Sequence, residues 1–344
     1  MLVRGFSERD DVDSWLAVRE AAAAADTPDM PPECREDVVG GLRVPWPAER
    51  ARRWVAESDG RVVATMILSF QEVDNLDNVE LDLVVHPGFR RRGIGTALHD
   101  LAVREARAAG CRRLMSESVR ALPGGPASDG AGSLFARTTG ATLAQTEVRR
   151  RLDVSTVDRT GLAARIAALT TDAAGYTLLG WCGAAPDDTV EGLAALQSRF
   201  LSEAPLGDLA WEPQQVDVAR RRAGERSFAA RGRVRYETVA RHDATGEIVA
   251  WTDVNRYHRP ADVWFQDITL VLPEHRGHRL GLLVKLANLA QVLDGEPAVA
   301  VHTWNAEENA HMIAINEEMG FRAVDAWDAW QLDLGEPAGR AGTG

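Results

Sequence analysis

The chain has 344 residues, of which 45% are hydrophobic and 26% charged, and its formal net charge is −12. This length suffices for two domains of about 150 residues, each with its own core. The composition indicates a globular protein, the apolar runs are too short for a membrane span, and the acidic balance argues against a nucleic-acid partner.

The three cysteines, Cys34, Cys111 and Cys182, have no Cys-x-x-Cys spacing. We therefore expect reduced thiols and a cytoplasmic protein with no metal site and, from the acidic N-terminus, no signal peptide. The negative charge mildly favours a cationic small molecule as partner, although many proteins carry such a charge only for solubility.

Hydrophobic periodicity in the first 70 residues predicts alternating strands and helices. The expected elements are a strand over 2–6, a helix from Ser7 or Asp10, an irregular loop or interrupted helix over 27–47, a helix over 47–57 and a strand over 62–68. Pro47 suits the first turn of a helix, and Asp59-Gly60 is typical of a hairpin turn.

The stretch from Val79 to Ala109 combines an apolar strand, a glycine-bearing turn and a helix. The strand ends at Pro87-Gly88, and Arg90-Arg91-Arg92-Gly93-Ile94-Gly95 leads into the helix. Backbone N–H groups at a helix N-terminus, together with nearby arginines, favour the phosphates of a ligand, and glycine leaves room for them. This stretch therefore predicts a phosphate-binding turn.

Glu80 and Asp82 lie two residues apart in this apolar strand, so both side chains point to the face that Val84 also occupies. A carboxylate in a central strand is costly unless it is paired, hydrated or functional. We expect at least one of the two to act in catalysis or substrate binding. Asp74 and Asp77 are interpreted as part of a solvated turn.

The remaining elements predict two domains and a connecting helix. They are a strand over 113–119, a flexible loop over 121–132, a helix over 133–139, a strand over 142–154, a helix over 160–170, a strand over 176–183, helices from Asp187 or Thr189 and over 213–230, and strands over 234–241 and 248–256. The arginine run of the helix over 213–230 (Arg220, Arg221, Arg222 and Arg226) is interpreted as a solvated helix face. The expected division is 1–155, a linker over 156–174, 175–335, and a flexible tail over 336–344.

Residues 263–294 repeat the layout of the Val79–Ala109 stretch. Aligned on Pro87 and Pro273, the two copies place Arg90 opposite Arg276, and the last glycines of the two turns also coincide. An internal repeat at a spacing of 186 residues indicates two related halves.

Both copies resemble the acetyl-CoA-binding motif of the GNAT (GCN5-related N-acetyltransferase) superfamily, Gln/Arg-x-x-Gly-x-Gly/Ala between the fourth strand and the third helix. The second copy also resembles the later part of that fold, with a strand over 298–304 and a helix that ends at Met319-Gly320-Phe321. A weaker equivalent lies over 132–141. The resemblance implies an α/β fold with two tandem GNAT domains, each a central, mostly antiparallel mixed sheet flanked by helices.

The resemblance also implies a function: transfer of an acetyl or other short acyl group from acetyl-CoA to the amine of a small molecule, by direct attack in a ternary complex. Carboxylates suited to deprotonating the amine are Glu80, Asp82 and Asp267. The implied coenzyme contacts are Val84, Val85, Arg90, Arg91, Arg92, Gly93, Ile94, Gly95, Thr96, Val271, Arg276, Gly277, His278, Arg279, Leu280, Gly281, Asn305 and Asn309. A monomer or a homodimer is expected.

The sequence departs from the family pattern in two places. Many members have a tyrosine four residues before the Gly-Phe pair, where this chain has Ala136 and Asn316, which leaves the general acid open. Arg279 replaces the first glycine of the second turn, so we expect coenzyme binding in the first domain, with binding in both as the alternative. In tandem members such as mycothiol synthase, one copy is active and the other degenerate.

Two other functions remain open at this point. A catalytically degenerate CoA-binding or regulatory protein would keep the fold and lose the chemistry. A dinucleotide-binding α/β protein is disfavoured, because the glycine turn follows several strands and no acidic ribose-binding residue ends a following strand.

Overall fold

The computed structural model describes residues 1–126, 128, 130–257 and 262–336. The described chain folds into two compact units. Unit 1 comprises 1–147, 206–211 and the chain from 325 onward, and unit 2 comprises 148–205 and 212–324. The tail predicted over 336–344 lies outside the described residues except for Glu336, as do Ala127 and Asp129 of the predicted loop.

Unit 1 contains a sheet with helices packed on it. Its strands are β1 (Leu2–Gly5), β2 (Glu49–Ser58), β3 (Arg61–Gln71), β4 (Asn78–Val85), β5 (Arg113–Ala121), the first part of β6 (Thr142–Asp153) and most of β12 (Arg322–Asp333). Its helices are α1 (Glu8–Asp26), α2 (Arg35–Arg43), α3 (Ile94–Ala108) and α4 (Ala131–Thr138). The strand order is β1-β2-β3-β4-β5-β12-β6.

Unit 2 repeats this arrangement. Its strands are the second part of β6, β7 (Tyr176–Cys182), β8 (Val234–His242), β9 (Ile248–Arg256), β10 (Val263–Val271) and β11 (Ala300–Ala306), in the order β6-β11-β10-β9-β8-β7. Its helices are α5 (Arg159–Asp172), α6 (Val190–Glu203), α7 (Val218–Ala230), α8 (Leu280–Gly295) and α9 (Ala310–Met319).

Each unit contains a parallel strand pair within a mostly antiparallel mixed sheet. In unit 1, β4 and β5 pair in parallel only as far as Leu81 and Ser116, and both strands then continue without pairing to each other. In unit 2, the parallel pairing of β10 with β11 stops in the same way at Gln266 and Thr303. The predicted tandem mixed sheets are confirmed, and each contains a point where two neighbouring strands diverge.

The predicted helix over 47–57 is wrong, because this segment is strand β2. Asp59 and Gly60 have φ values of 52° and 73°, as the two central residues of a type I′ hairpin turn require. The turn places β2 against β3 from Ser58–Arg61 to Glu49–Gln71. Pairing on both sides, with β1 and β3, outweighs the local helix signal from Pro47.

The arginine run on α7 is not a solvated face throughout. Arg221 is buried, and its Nη2 donates to the two carboxylate oxygens of Glu237 on β8 at 2.5 and 2.6 Å. Its Nε donates to Glu225 at 3.2 Å. The sequence could not show this pairing, because Glu237 lies 16 residues away on another element.

The units do not follow the contiguous division expected from the sequence. Strand β12 belongs to unit 1 because it pairs with β5 from Asp325–Ala121 to Asp333–Arg113. The segment expected as a linker contains α5, which buries Leu162 and Leu169 in the core of unit 2. Within the described chain, no helix is long and apolar enough to cross a bilayer.

Candidate active site

The glycine turn of unit 1 presents backbone donors at the start of α3. Gly93 is the N-cap, in the left-handed conformation with φ 79°, and it has no side chain to cap the helix. The first N–H groups of a helix lack intrahelical acceptors, so those of Ile94, Gly95 and Thr96 are available to a ligand. The dipole of the 15-residue helix α3 favours negative charge at this end.

Arg90, predicted to contact the coenzyme, braces the turn and also lines the cavity of this unit. Its Nε donates to the carbonyl of Val85 at 3.3 Å, and its Nη1 and Nη2 donate to Asp26 at 2.9 and 2.5 Å. Asp26 is the last residue of α1. Arg90 therefore ties the end of β4 to the end of α1.

Unit 2 repeats this brace. Arg276 Nε donates to the carbonyl of Val271 at 3.3 Å, and its Nη2 donates to Glu203, the last residue of α6, at 2.7 Å. The predicted alignment of the two arginines thus corresponds to the same contacts in both units.

The two turns distribute glycine differently over two left-handed positions. In unit 1 these are Arg91, with φ 61°, and Gly93; in unit 2 they are Gly277, with φ 90°, and Arg279, with φ 54°. Arg279 is the N-cap of α8, and its Nη2 donates to Glu318 of α9 at 2.7 Å. The arginine at the glycine position of the second turn is thus held toward α9.

A cavity of about 950 Å³ in unit 1 extends from the glycine turn to the face of the sheet that carries Glu80 and Asp82, which we call the acceptor side. Arg91, Gly93, Ile94, Gly95 and Thr96 line the end next to α3. Val84 and Val85 line the cavity where β4 diverges from β5. The other predicted residue of this turn, Arg92, folds back: its Nη2 donates to the Gly88 carbonyl and its guanidinium lies over the Phe89 ring.

Glu80 is a solvent-accessible carboxylate in the wall of this cavity. The surrounding protein raises its pKa to about 7, first by desolvation and then through the negative charges of Glu49 and Glu117. Gln71 Nε2 donates to Glu80 Oε1 at 3.2 Å. A carboxylate with this pKa can exchange a proton near neutral pH.

Asp82 has a different environment although it shares the face of Glu80. Arg19 of α1 donates to both of its oxygens, at 3.1 and 2.6 Å. Arg19 Nε also pairs with Glu33 at 2.9 Å, and Trp15 Nε1 donates to Glu33 at 3.2 Å. The two carboxylates that the sequence grouped together are therefore distinct: one is ion-paired and the other is not.

The far wall of the cavity comes from chain segments that are distant in sequence. The backbone at Ala210 is fixed by Asn78 Nδ2, which donates to its carbonyl at 2.7 Å, and by Gln331 Oε1, which accepts from its N–H at 3.1 Å. This places Trp211 in the lining, together with Trp327 of β12.

In unit 2, the predicted carboxylate Asp267 lies on β10 at a register irregularity and is solvent-accessible. Asn255 Nδ2 donates to it at 2.6 Å. Desolvation raises the pKa of Asp267 and that of Asp253 on β9, and the charge of Asp267 raises the pKa of Asp253 further. Unit 2 therefore has two neighbouring carboxylates, on β9 and β10, that influence each other's pKa.

The other predicted coenzyme residues of unit 2 have structural contacts. Asn309 is the N-cap of α9 and accepts from the Met312 N–H at 3.1 Å. Asn305 accepts a hydrogen bond from Asn316. Leu280 and Gly281 are buried at the start of α8.

The aromatic and imidazole side chains at the second turn pack on one another. The His278 ring lies 5.3 Å from Tyr176, whose hydroxyl is 3.0 Å from His275 Nδ1. Among the described side chains there is no group of three or more His, Cys, Asp or Glu placed to hold a metal ion.

Gly95 lies at the start of α3, next to the cavity of unit 1. A Cβ at Gly95 would lie 3.6 Å from the Phe135 ring and 3.7 Å from Val85 Cγ2, and all three residues line the cavity. The fold would tolerate that atom, but it would occupy space beside the helix N-terminus. The glycine here therefore keeps ligand space open.

Comparison with known proteins agrees with this geometry. The profile of the Acetyltransferase (GNAT) family matches residues 15–122. A tandem GNAT protein from the clavulanic acid biosynthesis pathway, solved without AcCoA, is 35% identical, with a TM-score of 0.81 over 97% of this chain and 98% of that chain. This chain belongs to the GNAT superfamily. The resemblance seen in the two motifs is confirmed, and acetyl-CoA, which GNAT proteins use, is the cofactor.

Two further GNAT structures share the fold at lower identity. A GCN5-related N-acetyltransferase from Sphaerobacter thermophilus is 14% identical, with a TM-score of 0.62 over 97% of this chain and 95% of that one. A glucosamine N-acetyltransferase region of a fungal multi-domain β-N-acetylglucosaminidase is 17% identical, with a TM-score of 0.66 over 96% of this chain and 38% of that one. A search of curated proteins gives no match. The family supports acyl-CoA-dependent acyl transfer as the general activity.

Sequence reasoning did not select Glu117, Arg19 or Trp211, which line the GNAT cavity of unit 1. Glu117 carried a usable signal, because it is a carboxylate within the predicted strand over 113–119, as Glu80 is within its own strand. Trp211 carried none, since its place depends on contacts with Asn78 and Gln331 that are more than 100 residues away.

Proposed function

We propose that the protein is an acetyl-CoA-dependent N-acetyltransferase whose working site is in unit 1, and that it transfers an acetyl or short acyl group to the amine of a small molecule. The observation that carries this proposal is one cavity that joins the glycine turn at α3 to Glu80. Direct attack by the amine requires the coenzyme and the acceptor to be bound together, so the glycine turn and Glu80 must line one continuous cavity.

Different residues of unit 1 bind the coenzyme and transfer the proton. The N–H groups of Ile94, Gly95 and Thr96 hold the diphosphate, and Arg90 and Asp26 keep that turn in place. When bound, acetyl-CoA supplies the activated acyl group as a thioester. Glu80 accepts a proton from the ammonium form of the acceptor, because an amine with a pKa near 10 cannot attack while protonated.

Two further features support this assignment. The backbone of β4 beyond Leu81 no longer pairs with β5, so amide donors near Val84 and Val85 are available to the thioester carbonyl oxygen. Ala136, at the position where many GNAT proteins have tyrosine, supplies no acid. The leaving group departs as thiolate or takes its proton from water, since a thiol has a pKa near 8.5.

The test is the rate of acetyl-CoA-dependent thiol release with a panel of amines. Glu80→Gln is expected to lower kcat by about 10²-fold, because it removes the base and keeps the shape of the side chain. In the unsubstituted enzyme, kcat/KM should rise with pH through about 7, where Glu80 becomes deprotonated. The variant should lose that rise.

A matched control is Glu72→Gln, which changes an exposed carboxylate paired with Arg50 and should leave kcat unchanged. An unaltered rate in Glu80→Gln would remove this residue from the proton-transfer step. Tight binding of CoA without turnover of any amine would instead favour a degenerate CoA-binding protein.

A further inference from the structure

The acceptor side of the unit 1 cavity has more negative charge than one proton transfer requires. Glu117 on β5 is directed to the same face as Glu80, because Glu80 pairs with Met115 and Glu117 lies two residues further along that strand. Desolvation raises the pKa of Glu117, and the charge of Asp82 raises it further. Among the described residues, none forms a hydrogen bond or ion pair with the side chain of Glu117.

The guanidinium of Arg19, on this side of the cavity, is already ion-paired within the protein. Arg19 donates from both Nη atoms to Asp82 and pairs through Nε with Glu33. No edge of its guanidinium remains for a carboxylate of the acceptor. The acceptor side therefore suits a positive group beside Glu117 and does not suit a negative one.

Aromatic rings complete this part of the wall. On β12, Ala329 pairs with Glu117 and Trp327 pairs with Val119, so the small Ala329 side chain and the Trp327 indole lie on the Glu117 face. The 206–211 segment adds Trp211. Indole faces attract cations, and the attraction increases where water is excluded.

The 206–211 segment packs tightly against the backbone of β6 at Ala144. The N–H of Asp208 donates to the Ala144 carbonyl at 2.9 Å. Gly207 has φ 54°, and a Cβ on it would lie 2.5 Å from the same carbonyl oxygen. The approach of Trp211 to the cavity thus depends on a glycine that a side chain would displace.

From these contacts we infer that the acceptor is a dication: a short molecule with one amine that Glu80 deprotonates and a second positive group bound between Glu117 and the indoles of Trp211 and Trp327. This inference rests on the proposed function, since it assigns the substrate class of the same site. Glu117 acts here as a specificity residue, and it does not take part in proton transfer.

The test compares three four-carbon probes: 1,4-diaminobutane, butylamine and 4-aminobutyrate. In the unsubstituted enzyme, kcat/KM for the diamine should exceed that for the monoamine by about 10-fold or more, and 4-aminobutyrate should be poorest. At a pH above about 8, where Glu80 is deprotonated with or without the charge of Glu117, Glu117→Gln should bring kcat/KM for the diamine down to the monoamine value and change the monoamine value much less. Glu80→Gln should instead lower kcat for both.

Two further measurements keep the inference falsifiable. Trp211→Leu should raise KM for the diamine more than for the monoamine, and Glu72→Gln should change neither. Calorimetry with the diamine measures binding without turnover, and Glu117→Gln should weaken that binding as well.

The outcomes separate the two proposals. Acetylation of monoamine and diamine with equal efficiency, or a preference for 4-aminobutyrate, would overturn the dication inference and leave the N-acetyltransferase proposal standing. Glu117-dependent binding of the diamine with no acetylation of any amine would overturn the N-acetyltransferase proposal and leave only the diamine-binding part of the inference. Absence of diamine binding in the unsubstituted protein would overturn the inference directly.

Discussion

At the scale of single residues, the contrast between Glu80 and Asp82 depends on a partner supplied by another element. Both side chains point to one face of β4, but α1 brings Arg19 to Asp82 alone. Asp82 is held in place by its ion pair with Arg19, whereas Glu80 can release and take up a proton near pH 7. Side-chain alternation along β4 places Glu80 and Asp82 on one face, but it does not give them the same partners or the same chemistry.

Gly95 and Gly281 provide a residue-scale test of which turn binds the coenzyme. A Cβ at Gly95 would contact Phe135 and Val85, and a Cβ at Gly281 would lie 3.5 Å from Ile315 and 3.6 Å from Val271, so the fold should tolerate alanine at both positions. We expect Gly95→Ala to raise KM for acetyl-CoA by about 10-fold or more, because the methyl group enters the cavity. Gly281→Ala should have a smaller effect.

Thermal melts of both glycine variants serve as the control, since similar melting temperatures would show that only ligand space has changed. A larger rise in KM for Gly281→Ala than for Gly95→Ala would indicate that the coenzyme binds in unit 2.

The residue patterns predicted more of the fold than of the site. The repeat, the two glycine turns and the strand that carries Glu80 were all visible in sequence, because each depends on local spacing. The brace formed by Arg90 was not visible, since Asp26 lies 64 residues away. An arginine beside a glycine turn can bind a phosphate or form an ion pair, and the sequence alone does not show which contacts Arg90 makes.

At the scale of elements, the arginine braces connect each glycine turn to the last residue of an earlier helix, α1 in unit 1 and α6 in unit 2. The Arg90–Asp26 pair is 17% and 27% exposed, whereas in the Arg276–Glu203 pair the arginine is 53% exposed. Water screens exposed ion pairs and reduces their net contribution. The two braces therefore have the same connectivity and different expected strengths.

Double-mutant cycles with alanine at each pair measure this difference. We expect a coupling free energy of about 1 kcal/mol for Arg90–Asp26 and a few tenths of a kcal/mol for Arg276–Glu203, obtained from urea unfolding. Equal coupling in the two cycles would show that burial does not set the strength of the brace. The acetyl-CoA KM of Arg90→Ala should also rise, because the turn loses its support.

The helix predicted over 47–57 and the solvated face expected for the arginines of α7 were wrong for a reason that also belongs to this scale. Pro47 and the residues after it are compatible with a helix, but a type I′ turn at Asp59-Gly60 commits the segment to a hairpin. A charged helix face is normally solvated, yet Glu237 on β8 buries Arg221. In both cases a partner element decides the outcome.

At the scale of the whole molecule, the chain order differs from the order of its compact units. Strand β12 and the 206–211 segment belong to unit 1 although they follow parts of unit 2 in sequence. The cavity of unit 1 therefore needs Trp211 and Trp327 from the second half of the chain. A tandem repeat in sequence does not guarantee that either half forms its site alone.

The first half should consequently fail to behave as an independent domain. A fragment of residues 1–155 lacks β12, so the edge of β5 from Arg113 to Ala121 loses its antiparallel partner and becomes an exposed, unpaired edge. We expect this fragment to aggregate or to melt without a cooperative transition, as judged by gel filtration and by circular dichroism on heating. A fusion that restores residues 206–211 and 322–336 through flexible linkers is the matched control, and it should recover a cooperative melt. A monomeric 1–155 fragment that melts like the full chain would show that unit 1 folds without β12. Trp211 and Trp327, which are absent from that fragment, would then not be needed to form the fold around the cavity.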